Sequence, residues 1–301
     1  MFRTANSIAR QFTFPVVLSR KSVSGACSST IGSFVVINDE GWIVTAGHII
    51  DQLKKMIDDE ATYGARQEAV DKIQGDMTLS PKDKSRAMRA LEKPTPDTTE
   101  KASVWWARVG TELINIKRLQ GVDLAIAQLK DFDPKCVGQF PTFKDPAKDF
   151  EPGTSLCKLG FPFHQITPSW DSDTCTFRLP EGAFPIPFFP MDGIFTRMIG
   201  ATLVDQDGTP VPMPFPLLNV ETSTPGLRGQ SGGPIFDVHG SIWAIQCYTS
   251  HVPLGFEAKL AASDGRPIVG HQVINLGVGV SAHTVIGALQ HFGIKHTVST
   301  Y

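Results

Sequence analysis

The feature that most restricts this chain is its punctuation. Its 27 glycines and 22 prolines, spread over 301 residues, cut it into short runs rich in β-branched and aromatic residues. Such runs between turn signals read as strands, and they favour a turn-rich β protein over a helical bundle. One set lies at 14–19, 31–38, 42–46, 104–109, 113–119 and 124–130; a second lies at 156–160, 174–179, 193–203, 217–222, 233–236, 242–248 and 273–280. The Pro- and Asp-dotted stretch 131–153 reads as a connector between them. The expected organisation is a tail at 1–13, a first β unit at 14–130, a second at 154–281, and a closing helix and tail at 282–301. Val285, Ile286 and Leu289 share one face of that closing helix. Eight of the 22 prolines fall between 180 and 216, which bars central-strand pairing there and implies long ordered loops.

One segment breaks the β pattern. Eighteen of the chain's 28 Lys+Arg and 30 Asp+Glu residues crowd into positions 51–93. Ile49, Leu53, Met56 and Ile57 recur there at helical spacing, and Ser80-Pro81 is an N-cap followed by proline at the first helical position. Ala87, Met88 and Leu91 make a narrow apolar stripe suited to a helix lying on another surface. A helical insertion over about 50–100 is the expectation, with Trp105-Trp106 shared between the core and the inserted helices.

Charge and cysteine usage exclude several classes. The formal net charge of −2 offers no basic surplus for nucleic acid, and no apolar run approaches the roughly 20 residues of a membrane-spanning helix. Five cysteines with no C-x-x-C pair argue against a disulfide framework and a zinc site, and point to a reducing, cytoplasmic compartment. Arg3, Arg10, Arg20 and Lys21 precede the first acid, Asp39, so an organellar transit segment is the alternative. None of the seven histidines besides His48 has a metal-ligand spacing, and no cofactor is expected.

Three motifs carry chemistry. In Gly229-Gln230-Ser231-Gly232-Gly233-Pro234, flanking glycines expose a serine hydroxyl at a tight turn and allow backbone N–H groups to face a substrate carbonyl. Thr45-Ala46-Gly47-His48 ends a strand with a histidine, the general base that an unactivated serine needs near neutral pH. Val122-Asp123-Leu124-Ala125-Ile126-Ala127 places an acid at the start of a buried strand, where it must be paired, and orienting an imidazole is one way to satisfy it.

The order His48, Asp123, Ser231, each in its own motif, resembles the trypsin-like (chymotrypsin-fold) serine peptidases. Within them the similarity is to the bacterial high-temperature-requirement (Deg-type) proteases and their single-domain relatives lacking PDZ modules. The segments 219–226, 240–245 and 193–196 match strands of those proteins. The resemblance covers roughly 14–48 and 104–292 and leaves the charged insertion unexplained.

That resemblance implies an all-β fold of two six-stranded antiparallel barrels, the first bearing the insertion. It implies a serine endopeptidase in which Ser231 attacks, His48 moves the proton and Asp123 orients the imidazole, with Gly229 and Ser231 N–H groups as the oxyanion hole. Gln230 stands where the digestive members carry an acid that pairs with a new N-terminus, so activation by cleavage is not expected. Ile49 and Leu227 replace their disulfide cysteines. Pro225 falls at the base of the primary pocket, which implies an uncharged P1 residue (the residue whose carbonyl is attacked). The segment Gln246, Cys247, Tyr248 and Thr249 aligns with the strand that pairs with substrate backbone, Tyr248 flanks the pocket, and Arg228 stands at its mouth or is a solvated loop residue. Cys247 itself reads as a small buried hydrophobe. The expected partner is a protein or peptide substrate, with a regulatory protein at the insertion, no nucleic acid and no membrane. The competing reading is a catalytically silent or partner-activated scaffold that binds a protein through the insertion.

Overall fold

The computed structural model describes residues 1–107, 111–261 and 267–300, with side chains described outside 256–271. The first β unit is a six-stranded antiparallel sheet of β1 (Thr13–Ser22), β2 (Cys27–Val36), β3 (Trp42–Ala46), β4 (Thr99–Trp106), β5 (Leu113–Arg118) and β6 (Leu124–Leu129). Their order is β4-β1-β2-β3-β6-β5, an open half-barrel with β4 and β5 at its two edges. The second unit comprises β7 (Ser155–Lys158), β8 (Met191–Gly200), β9 (Leu218–Thr222), β10 (Pro234–Phe236), β11 (Ile242–Ala261) and β12 (Pro267–Ser281). These run β10-β7-β8-β9-β12-β11, and β11 pairs back onto β10, so the second barrel is closed. The expected strand at 174–179 is not a barrel strand. It forms a separate hairpin, Ser169–Asp171 with Thr176–Arg178. Part of the expected strand at 104–109 lies outside the described residues.

One continuous apolar core runs through both units. It joins Phe34, Trp106 and Ile126 to Phe236, Ile245 and Val280, and the closing helix (Ala282–His291) adds Val285, Ile286 and Leu289. The Pro-rich loops supply a satellite cluster in which Ala183 and Ile186 pack on Val17 and Ile31. Trp105 joins this cluster, with its ring 4.4 Å from Phe184, while Trp106 turns into the core against Phe34. The sequence analysis shared this pair between the core and the inserted helices, and it is the loop that takes the share given to the helices. Strand alternation sends the two indoles to opposite faces, and the loop occupies the outer one.

Two corrections concern helices. The first 13 residues are not a loose tail: α1 (Arg3–Ala9) buries Ala5 and Ala9, and its flanking Phe2 meets Phe236 of β10 edge-on at 6.3 Å. The insertion starts earlier than expected, because α2 (Gly47–Gly75) grows directly from β3. Ile49, Leu53 and Met56 are buried, as is Ile50, whereas Ile57 is 52% exposed and lies off the stripe. α3 (Pro81–Ala90) is capped by Ser80, whose hydroxyl accepts from Asp83 N at 3.2 Å, and has no fully buried residue.

α2 also protects an edge. β4 is an outer strand, and its unpaired N–H groups would template strand addition. Glu60 accepts from Ala102 N at 2.9 Å and meets Lys101 at 3.3 Å, while Asp59 accepts from Thr99 N at 3.4 Å. Glu60→Ala leaves the Ala102 N–H without this acceptor, so a loss of about 1 kcal/mol is expected in urea unfolding. An unchanged midpoint would show that solvent satisfies that edge equally well.

Candidate active site

The turn from β3 into α2 puts His48 in the first helical turn, and the N-cap, Ala46, offers no side chain to the helix's open N–H groups. Asp123, between β5 and β6, fills that role from 75 residues away. Its Oδ1 accepts from His48 N at 2.7 Å, and its Oδ2 lies 2.7 Å from His48 Nδ1. An ionised carboxylate only accepts, so Nδ1 carries the proton and Nε2 is left as the basic nitrogen. Burial raises the Asp123 carboxyl, but hydrogen bonds and charge from His48, helped by Arg118, outweigh it and hold it below the usual carboxylate range. Arg118 also binds the carbonyls of Leu119 and Val122 and pairs with Asp51 on α2 at 3.1 Å. A Cβ at Gly47 would enter the Arg118 guanidinium, which explains the glycine before the histidine.

The Ser231 loop is pressed between the two β units. Gln230 N donates to Leu227 O at 2.9 Å and Gly229 takes φ 96°, the left-handed position of a type II turn. Gly229 O accepts from Phe161 N at 3.0 Å and from the Ser33 hydroxyl at 2.8 Å. Ser33 N donates to Ser231 O at 2.8 Å, and Thr45 Oγ1 donates to Ser33 O at 2.7 Å. A Cβ at Gly229, Gly232 or Gly233 would run into the carbonyls of Phe161, Ser33 or Leu159, respectively. The glycines are therefore a packing requirement as well as a turn signal. Gln230 is fully buried and closes on its own loop, with Oε1 accepting from Leu227 N at 3.0 Å. Among the described residues the N–H groups of Gly229 and Ser231 have no acceptor. The Ser231 hydroxyl donates to Cys247 O at 3.2 Å and is not hydrogen-bonded to His48.

Three concavities meet at this loop, and Arg228 borders all of them. His48, Ser231 and Gly229 line one of about 200 Å³. Pro225, Arg228, Gln246, Cys247, Tyr248 and Thr249 line another of about 460 Å³ beside Ser231. A third, of about 570 Å³, lies between the Ser28–Ile31 side of β2 and Phe161, Phe163 and His164. The sequence thus named residues that the fold gathers around one cleft, with one exception in role. Gln246 cannot offer its backbone to a substrate, because its N–H and C=O already bond Gly233 O and Gly232 N. The Cys247 thiol is buried, points to Asp123 O at 3.0 Å, and is pushed far above the usual thiol range by burial.

Sequence reasoning missed Ser33, Thr45, Arg118 and Lys158. Ser33 acts through Gly229 and Ser231 far along the chain, Thr45 acts through Ser33, and Arg118 joins nearby carbonyls to Asp51, but Lys158 left a signal: a lysine inside the apolar run Leu156-Cys157-Lys158-Leu159. It is 1% exposed, and its ammonium donates to the carbonyls of Thr224 and Pro225, the second of which lines the pocket of about 460 Å³. Burial pushes it down to about 7.

That shift has a sign. The unfolded lysine titrates near 10.5, so above pH 7 the unfolded chain holds a proton that the folded chain has released. Stability rises with pH through this window by up to about 1.4 kcal/mol per unit. Cys157, pushed from 9.0 up to about 11, opposes it only above pH 9. Lys158→Met is expected to abolish the rise between pH 7 and 9 in urea midpoints; an unaltered slope would assign it to other groups.

No protein-family model matches the chain, and no curated protein matches it. Among solved structures the chain is similar to the active form of the Rv3671c protease from M. tuberculosis, at 14% identity over 99% of this chain and 87% of that one, with a TM-score of 0.47. The inactive form of the same protease matches at 13% identity over 97% and 93%, TM-score 0.45. The HtrA-type protease AlgW with a tripeptide matches at 14% identity over 98% of this chain and 65% of that one, TM-score 0.44.

Proposed function

We propose that this protein is a serine endopeptidase that cleaves peptide bonds through an acyl-enzyme on Ser231. One observation carries the reading. Asp123 binds both the N–H and the Nδ1 of His48, which leaves Nε2 as the proton acceptor of a histidine that lines the same cavity as Ser231 and Gly229. Rotation about the Ser231 Cα–Cβ bond would free its hydroxyl from Cys247 O into the cavity that His48 also lines.

The steps follow from these positions. Ser231 Oγ bonds to the scissile carbonyl carbon as its proton passes to His48 Nε2, and Asp123 stabilises the imidazolium. The oxyanion gains the free N–H groups of Gly229 and Ser231, each worth about 3 kcal/mol when aligned. The C–N bond then breaks, and His48 gives its proton to the leaving amine. Water repeats the sequence on the ester and frees Ser231. Gln230, whose Oε1 accepts from Leu227 N within its own loop, supports an enzyme that needs no cleavage to order its serine. The run of α2 from His48 into the charged insertion supports a regulatory partner docking there.

A fluorophosphonate probe tests the assignment without knowledge of the substrate. Wild-type protein is expected to label and Ser231→Ala not to; His48→Ala is expected to label at least 10³-fold more slowly. Labelling only in the presence of bound peptide would mark the Ser231–Cys247 bond as a resting state. Folded wild type that stays unlabelled with and without peptide sinks the peptidase and leaves the binding scaffold.

A further inference from the structure

The chain holds 30 Asp+Glu against 28 Lys+Arg, yet among the described residues none that lines the three concavities around the Ser231 loop is an acid. Arg228 borders all three. It is half-buried, and its guanidinium has no hydrogen-bond, ion-pair or ring partner among the described residues. A cation held in a cleft without a counter-charge favours an anion brought to it.

Ser231 lines two of the three concavities. The smaller also holds His48, which protonates the leaving amine, so it lies on the leaving-group side. The pocket of about 460 Å³ is left for the P1 side chain. Acceptors around this pocket are already used. Lys158 donates to the carbonyls of Thr224 and Pro225, Thr249 Oγ1 to Gly226 O at 2.7 Å, and Gln246 Nε2 to Tyr248 O at 3.0 Å. Gln246 Oε1 has no partner, but it is sealed from the open space. Arg228 remains, together with His251, which lines the same pocket. His251 Nδ1 lies 2.6 Å from Asn275 Oδ1, and an amide oxygen only accepts, so Nδ1 carries the proton and Nε2 is open to a second partner. An anion beside that nitrogen favours the imidazolium.

We infer that the pocket beside Ser231 takes an acidic P1 side chain, whose carboxylate pairs with the Arg228 guanidinium and with His251. This rests on the peptidase reading and names its substrate class: polypeptides cut after an acid. Pro225 implied an uncharged P1 because it carries no charge itself; here the charge comes from other residues of the lining. A carboxylate matches a guanidinium as a two-point pair. An apolar P1 would cover Arg228 without pairing it, and a lysine would add a like charge.

The test compares peptides that differ only at P1, which is Glu, Gln, Leu or Lys, and one with Gln at P1 and Glu just after the cut bond. kcat/KM is expected to be about tenfold higher for P1 Glu than for its uncharged isostere Gln, and lowest for Lys. Raising the ionic strength from about 0.05 to about 0.5 M is expected to shrink the Glu-to-Gln ratio several-fold, because the pair forms in an open pocket. Arg228→Gln should bring that ratio close to one, and Arg228→Glu should reverse the order of Glu and Lys; urea midpoints establish that both variants are folded. Binding of the same peptides to Ser231→Ala, read by fluorescence anisotropy, is expected to follow the wild-type order without any chemistry.

A Glu-to-Gln ratio of one, or a higher rate for Leu, in a protein whose Ser231 labels with the probe overturns the inference and leaves the peptidase standing. A P1 Glu preference that neither salt nor Arg228→Gln reduces overturns it too. So does a gain from Glu that appears only after the cut bond. Glu-selective binding that Arg228→Gln abolishes, in a protein that neither labels nor hydrolyses, keeps the acid site and discards the peptidase.

Discussion

The candidate site depends on a buried polar clasp between the two β units. Ser33 on β2 holds Gly229 O with its hydroxyl and Ser231 O with its N–H, and Thr45 on β3 holds Ser33 in turn. Among the described residues these are the hydrogen bonds that tie the Ser231 loop to the half-barrel that carries His48. Each bond adds only about 1 kcal/mol net, but a buried carbonyl left without its donor costs about 1–3 kcal/mol, so the clasp disfavours displacement of the loop. That arrangement leaves the N–H groups of Gly229 and Ser231 without acceptors among the described residues.

A second constraint runs through α2. Its first turn carries His48 and is capped by Asp123; its buried face holds Ile49, Leu53 and Met56; and its carboxylates at Asp59 and Glu60 satisfy the open edge of β4. The charge-dense segment is therefore built into the half-barrel rather than appended to it. A force on the outer turns acts on the same rigid helix that positions the imidazole.

Much of this was legible in the sequence because it is local. Turn glycines, strand runs and the Ser80-Pro81 cap are decided by residues a few positions apart, and α3 and the closing helix lie close to where spacing put them. The misreadings share a different cause. Trp105 faces a loop some 80 residues away, Ile57 turns to solvent, and the first 13 residues carry a helix packed into the core, with Phe2 against Phe236 of β10. The hairpin at 169–178 carries strand-like residues but finds no barrel edge.

The order of residues along the chain already shows which types stand at strand ends and turns: a serine between glycines, a histidine after a strand, an acid before one. Those choices are local, since glycine torsion freedom and the cost of an unpaired buried acid need no distant partner to be recognised. The three-dimensional arrangement is needed for Asp123 to bind His48 twice, for Ser33 to clasp the serine loop and for Lys158 to reach the carbonyls of Thr224 and Pro225. Each of these is a contact between groups far apart along the chain. Whether such a contact forms depends on the relative placement of whole sheets, which no local pattern encodes.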